Sequence, residues 1–203
     1  MSSIISLQNI NKSYGDYTVF SGLSLSFEKG SVTCITGASG CGKTTLLRLI
    51  AGLEAPEGGS IERNGASLAF VFQEDRLSEN YSAVSNIRLV TDGRMSDADI
   101  RRHLTEIGLR DFADKKTGDF SGGMKRRVAI ARAICYDADV LLMDEPFKGL
   151  DAELKTDVID YVKKYSAGKT VIYVTHDAGA AEYMGGTVVR LPGPALTSFQ
   201  ETL

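Results

Sequence analysis

The stretch "SVTCITGASGCGKTTLLRLIAGL", residues 31–53, decides the fold. Its opening, "SVTCIT", is a dense β run. Its end, "KTTLLRLIAGL", carries apolar residues at helical spacing and stops at Gly52, a C-cap position. Between them Gly37, Ala38, Ser39, Gly40, Cys41, Gly42, Lys43 and Thr44 fit the pattern G-x-x-x-x-G-K-[ST], and Thr45 follows. Glycines let backbone N–H groups point into a ring around phosphate oxygens. The helix that follows turns its N-terminus to the same charge. Lys43 reaches the β- and γ-phosphates, and Thr44 offers a hydroxyl to Mg²⁺. Cys41 sits inside this loop, where N–H groups and Lys43 are expected to lower its thiol pKa and make it reactive.

Downstream, "DVLLMDEP" and "TVIYVTHD" read as buried parallel strands, and "TVVRLPG" as a third. "DAELKTDVIDYVKKYSAG" is an amphipathic helix between the first two. Strand–helix alternation predicts an α/β core with a mostly parallel sheet. Upstream, "IISLQNINKSYG" and "SGLSLSF" alternate like half-exposed strands, predicting an N-terminal antiparallel β subdomain. "SIERNG" and "SLAFVFQ" read as strands flanking a turn at Asn64-Gly65. Residues 78–134 look helical, a subdomain inserted into a single domain spanning 1–203.

Composition is ordinary for a globular chain, 43% hydrophobic and 24% charged, which excludes disorder. A net charge of −3 gives no footing for a nucleic-acid partner. No apolar run is long enough to span a bilayer, and the N-terminus turns polar too early for a signal peptide. The three cysteines are odd in number and lack C-x-x-C spacing, against a disulfide framework or structural zinc. Cys34 and Cys135 read as small buried hydrophobes.

A second anion-binding signal lies in "GDFSGGMKRRVAIARAI", residues 118–134. Two glycines open a helix whose first turn carries Lys125, Arg126 and Arg127, against the macrodipole. An anion at Ser121, Gly122 and Gly123 would reconcile both. The three cations themselves are expected to face solvent or pair with Asp119. At the end of "DVLLMDE", Asp144 is placed to hold Mg²⁺, and Glu145 to polarise an attacking water. His176 follows a β run that puts it at the phosphate edge of the sheet. His103, in a polar helix, is expected to be solvated.

With these residues in order, the chain resembles the ATP-binding subunit of an ATP-binding cassette (ABC) transporter, along essentially its whole length. The resemblance implies a P-loop NTPase core with ATP and Mg²⁺ as ligands. It gives Tyr14 an adenine-stacking role and residues 37–44 the Walker A role. It makes Gln73 the sensor of Mg²⁺ and the attacking water. It gives 121–123 the signature, Asp144 and Glu145 the Walker B pair, Asp151 the D-loop and His176 the switch. It also implies a head-to-tail dimer. The signature of one copy then faces the ATP of the other, which supplies the anion that the second loop needs. Permease subunits of a membrane are the implied further partners, and the implied location is the cytoplasmic face. "QEDRL" resembles the nitrate, sulfonate and taurine importer branch. A non-import complex of the lipoprotein-release or cell-division type stays open. The stretch between Thr44 and Ser121 is too short for the coiled coil of DNA-repair relatives. Two departures stand out: "FSGGM" has Phe120 and Met124 where Leu and Gln are usual, and "RLSENYSAVSN" lacks the usual proline.

Overall fold

The computed structural model describes residues 3–193. These residues form two sheets, six α-helices and two short 3-10 turns. β1 (Ser3–Tyr14) and β2 (Tyr17–Glu28) form a long hairpin, and β4 (Gly58–Glu62) pairs on the other side of β1. This three-stranded sheet is antiparallel throughout. The second sheet has the order β5-β6-β7-β3-β8, from β5 (Leu68–Val71), β6 (Val140–Asp144), β7 (Thr170–Val174), β3 (Val32–Thr36) and β8 (Thr187–Arg190). Every pairing in it is parallel. β6 and β7 are buried at all positions, as apolar runs covered on both faces must be.

Alternation along these strands divides the interior. Ile35, Leu142, Ile172 and Val174 point into a core shared with the antiparallel sheet and α1 (Lys43–Ala51). Cys34, Leu141, Met143, Val171 and Tyr173 point into the opposite core. That core is built with α2 (Ala83–Thr91), α3 (Asp97–Glu106), α4 (Gly122–Cys135), α5 (Ala152–Tyr165) and α6 (Ala178–Met184). Ser82, Ser96, Ser121, Asp151 and Asp177 each accept a backbone N–H as N-cap of one of these five helices. Gly52 caps α1 with φ 73°, and Arg63 adds bonds to the carbonyls of Leu49 and Ile50 at 2.7 and 2.6 Å.

The Asn64-Gly65 turn forms, with φ 46° and 73° at its two residues. It does not join a hairpin. β4 stays with β1, while β5 crosses to the parallel sheet beside β6. Ala69 and Val71 on β5 need the cover that only the second core gives them. Asn86, fully buried on α2, ties the segment before it: its Nδ2 donates to the carbonyls of Ser78, Tyr81 and Ser82, and its Oδ1 accepts from Ser78 N at 2.8 Å. Among the described residues no helix is long and apolar enough to cross a membrane.

Candidate active site

Parallel strands place their C-terminal ends on one edge, the usual ligand edge of an open α/β sheet. Register aligns Val71 with Met143, Asp144 with Val174, and Val174 with Ile35. The segments that leave these ends carry Gln73, Glu145, His176 and the phosphate loop. They wall a cavity of about 800 Å³. Tyr14, Ser39, Gly40, Gly42, Lys43, Thr44, Thr45, Gln73, Asp144, Glu145 and His176 line it, out of those expected from sequence. Gly37, Ala38 and Cys41 do not; they form the back of the loop.

The loop is preformed. Gly42 has φ 93°, a conformation costly for any side chain. A Cβ there would also stand 2.4 Å from Val19 and 2.7 Å from Phe20 on β2. Lys43, almost fully buried, donates to the carbonyls of Gly37 at 3.0 Å and Ala38 at 2.8 Å. The Cys41 sulfur turns inward and is 1% exposed, contrary to the reactive thiol expected from its place in the loop. It packs in the core with apolar residues of α1 and β2, as a small hydrophobe does.

The Thr44 hydroxyl donates to Asp144 Oδ2 at 2.7 Å. Glu145 has φ 49°, a left-handed backbone unusual outside glycine and a feature that clusters at functional sites. Its amide donates to Val174 O at 2.9 Å, so β7 holds the turn. The His176 amide donates to Glu145 Oε2 at 3.3 Å, and His176 Nε2 stands 3.5 Å from Oε1. Oε1 is buried and has no hydrogen bond among the described residues. No group of three or more His, Cys, Asp or Glu is arranged as a metal cage among the described residues. A site of one carboxylate, one hydroxyl and one amide suits Mg²⁺, which keeps waters and phosphate oxygens as its other ligands.

The family profile described as ABC transporter matches residues 20–148. The chain belongs to the ABC transporter family. The aliphatic sulfonates import ATP-binding protein SsuB 2 of Burkholderia cenocepacia is 38% identical over 204 residues, 94% of this ABC chain and 75% of that protein. The bicarbonate transport ATP-binding protein CmpD of Synechococcus elongatus is 37% identical over 210 residues, 93% and 76% of the two. Among solved structures, the dimeric post-hydrolysis state of the ATP-binding cassette MJ0796 bound to ADP and Pi superposes with a TM-score of 0.81 at 30% identity, covering 92% of this chain and 94% of that one.

The other site residues expected from the sequence lie apart from the main cavity. Gly122 and Gly123 line a neighbouring one of about 410 Å³, and exposed Ser121 caps α4, accepting from Met124 N at 3.3 Å. Asp151 is absent from both linings; its Oδ1 accepts from Leu154 N at 2.9 Å as the cap of α5. Phe120 is buried and meets Phe112 edge-on, and Met124 packs against the helical core. The three cations of α4 neither face solvent freely nor pair with Asp119. Lys125 bonds Glu79 at 2.7 Å, Arg127 bonds Ile107 O at 2.8 Å, and Arg126 is buried. α4 begins at Gly122, so these cations are its fourth to sixth residues and run past the first turn in which they were expected, where the macrodipole effect fades. Their partners are carbonyls and acids of neighbouring segments.

Sequence reasoning missed Tyr17. It is the cross-strand partner of Tyr14 at the hairpin tip, and its hydroxyl donates to Gly40 O at 3.0 Å. The signal was the two-residue turn Gly15-Asp16 between two tyrosines. Lys155 and Asp177, an ion pair on the cavity wall, were also missed. The Lys155 ammonium holds the Asp177 carboxyl below its ordinary range. Tyr14 itself donates to Glu54, with the Lys12 ammonium 5.0 Å from its ring centre.

Proposed function

We propose that the chain is the ATP-hydrolysing subunit of an ABC importer and works as a head-to-tail pair. The observation that carries this is the Glu145 carboxylate. It lines the same cavity as Lys43, Thr44 and Asp144, and its Oε1 has no hydrogen bond among the described residues. A carboxylate so placed takes a proton from a water aligned with the γ-phosphate. Its neighbour His176 would then donate to the developing charge, while Lys43 releases the Gly37 and Ala38 carbonyls and turns to phosphate oxygens. Thr44, Asp144 and Gln73 would hold Mg²⁺, which when bound neutralises charge on the β- and γ-phosphates. Tyr14 would stack on the base.

The signature at Ser121, Gly122 and Gly123 opens α4 and does not line the main cavity. An exposed cap serine and a fourteen-residue helix dipole then suit the phosphate of a second copy. We assign residues 78–134 to an inserted helical subdomain that docks a permease. Exposed Tyr81 and Leu89 border a groove with Arg88 and Asp92 there. Such docking would hold the protein peripherally at the cytoplasmic membrane face. The import assignment is supported by the sulfonate and bicarbonate import relatives.

The test is the solution mass of Glu145→Gln with and without Mg·ATP. We expect hydrolysis to fall ~10²- to 10⁴-fold and ATP to drive dimerisation, which Ser121→Arg abolishes. A monomer that binds no ATP would remove the assignment.

A further inference from the structure

The loop that leaves β5 carries Gln73 into the cavity, with Phe72 packed on Phe70 and Leu77 against the helical core at its two ends. Two arginines of α4 hold the backbone between them. Arg126 Nη1 donates to Phe72 O at 2.6 Å, and Nη2 donates to Gln73 O. Arg132 Nη1 donates to Arg76 O at 2.9 Å and Nη2 to Asp75 O at 3.1 Å. Four carbonyls between 72 and 76 are thus held by one helix. Arg126 Nε also lies 3.2 Å from Asp75 Oδ1, a contact of charges without hydrogen-bond alignment. The Arg126 side chain is only 7% exposed. Its guanidinium is a rigid planar fork, so its partners must keep their geometry or leave it unsatisfied in the interior.

Arg126 stands three residues after Gly123. The same helix therefore begins at the signature and grips the backbone of Gln73. We infer that Arg126 is a positioning residue for Gln73: it fixes the glutamine against the N-terminal half of α4, so that a shift of the signature end moves Gln73 relative to Thr44 and Asp144. Arg132 steadies the far end of the same loop. This rests on the ATPase assignment, because Gln73 has a task only if the cavity hydrolyses a nucleotide.

The experiment is a cycle of Arg126→Lys, Gln73→Ala and their double variant in the full chain. Lysine keeps the charge but loses the fork. Arg126→Lys should lower kcat ~10- to 100-fold, as a misplaced group does, with KM for ATP within about twofold. In the Gln73→Ala background the same change should cost nothing further. Independent, multiplying losses, or a raised KM with unchanged kcat, would overturn the inference. Carbonyl ¹³C chemical shifts give a second readout that needs no turnover, since the clasp engages C=O groups and a carbonyl that loses its donor moves upfield. The Phe72 and Gln73 carbonyls should move upfield in Arg126→Lys while those of 37–45 stay put. Unmoved shifts at 72 and 73 overturn the clasp even where the ATPase assignment stands. Should Arg126→Lys fail to fold, Arg126→Gln takes its place, with the same shifts expected and the inference overturned if they are absent. Wild-type protein without ATP turnover would count against the ATPase assignment, and the carbonyl shifts would still decide the clasp.

Discussion

The Thr44 hydroxyl and the Asp144 carboxylate meet at 2.7 Å although 100 positions separate them in the chain. One opens α1 and the other ends β6. Their contact is a consequence of strand order, since β3 and β6 flank β7 in one parallel sheet. Asp144→Asn keeps the shape and removes the charge. We expect Mg²⁺ affinity in the presence of ATP to fall ~10- to 100-fold, the range for disturbed metal ligation. Titrating Mg²⁺ against ATPase rate or bound nucleotide checks this, and an unchanged midpoint would refute it.

Tyr17 braces the phosphate loop through Gly40 O. Tyr17→Phe keeps the ring and loses that bond. A neutral hydrogen bond contributes ~0.5–1.5 kcal/mol, so nucleotide affinity should weaken by roughly two- to tenfold, with kcat nearly unchanged. Calorimetric titration with ATP reads the effect directly. The chain has no tryptophan, so Tyr17→Trp also provides a clean fluorescent reporter at the cavity mouth.

All three cysteines are buried. The folded protein should therefore resist maleimide for hours, and denaturant should release three rapid additions, counted by mass spectrometry. Burial pushes the Cys135 thiol up to about 12, which slows it further. Rapid single labelling at Cys41 that ATP prevents would contradict the inward rotamer.

His103 is buried, with Nδ1 2.8 Å from the Tyr161 hydroxyl, and not solvated as its polar helix suggested. Burial lowers its pKa below the ordinary value near 6.5. The unfolded chain then binds the proton more readily than the folded one. Its contribution is full above about pH 6.5 and is lost as pH falls toward the folded value. We expect Tm to drop between pH 7 and pH 5 more steeply in wild type than in His103→Gln. Parallel curves would sink the idea.

The phosphate loop, the buried strands and the acids at the end of β6 were legible because each is a local pattern with one physical solution. The partner expected for Ser121, Gly122 and Gly123 came from the resemblance alone, since a helix N-terminus does not say whose anion it meets. The path of β5 was not legible: Asn64-Gly65 specifies a turn, while the choice of sheet depends on Val140 and Leu141 far along the chain. The burial of His103 was readable in principle. It shares a helical face with Ile100, Leu104 and Ile107, at spacings of three, one and four. The polar residues around it masked the stripe. The roles of Arg126 and Arg132 were hidden because backbone carbonyls, their partners, leave no trace in sequence.

The hairpin tip has a consequence for which nucleotides are accepted. Both tyrosine hydroxyls there are already engaged, Tyr14 by Glu54 and Tyr17 by the Gly40 carbonyl. If the base stacks at Tyr14 as proposed, it meets two rings and the hydrocarbon of Val19. Such a surface would gauge thickness and flatness and be blind to the lettering on a purine's edge. The packing of Val19 and Phe20 against Gly42 fixes how far that surface stands from the phosphate cradle. On the proposed reading the cavity would measure the span from ring to last phosphate, and GTP and ITP should be turned over alongside ATP while diphosphates of any base are held but idle.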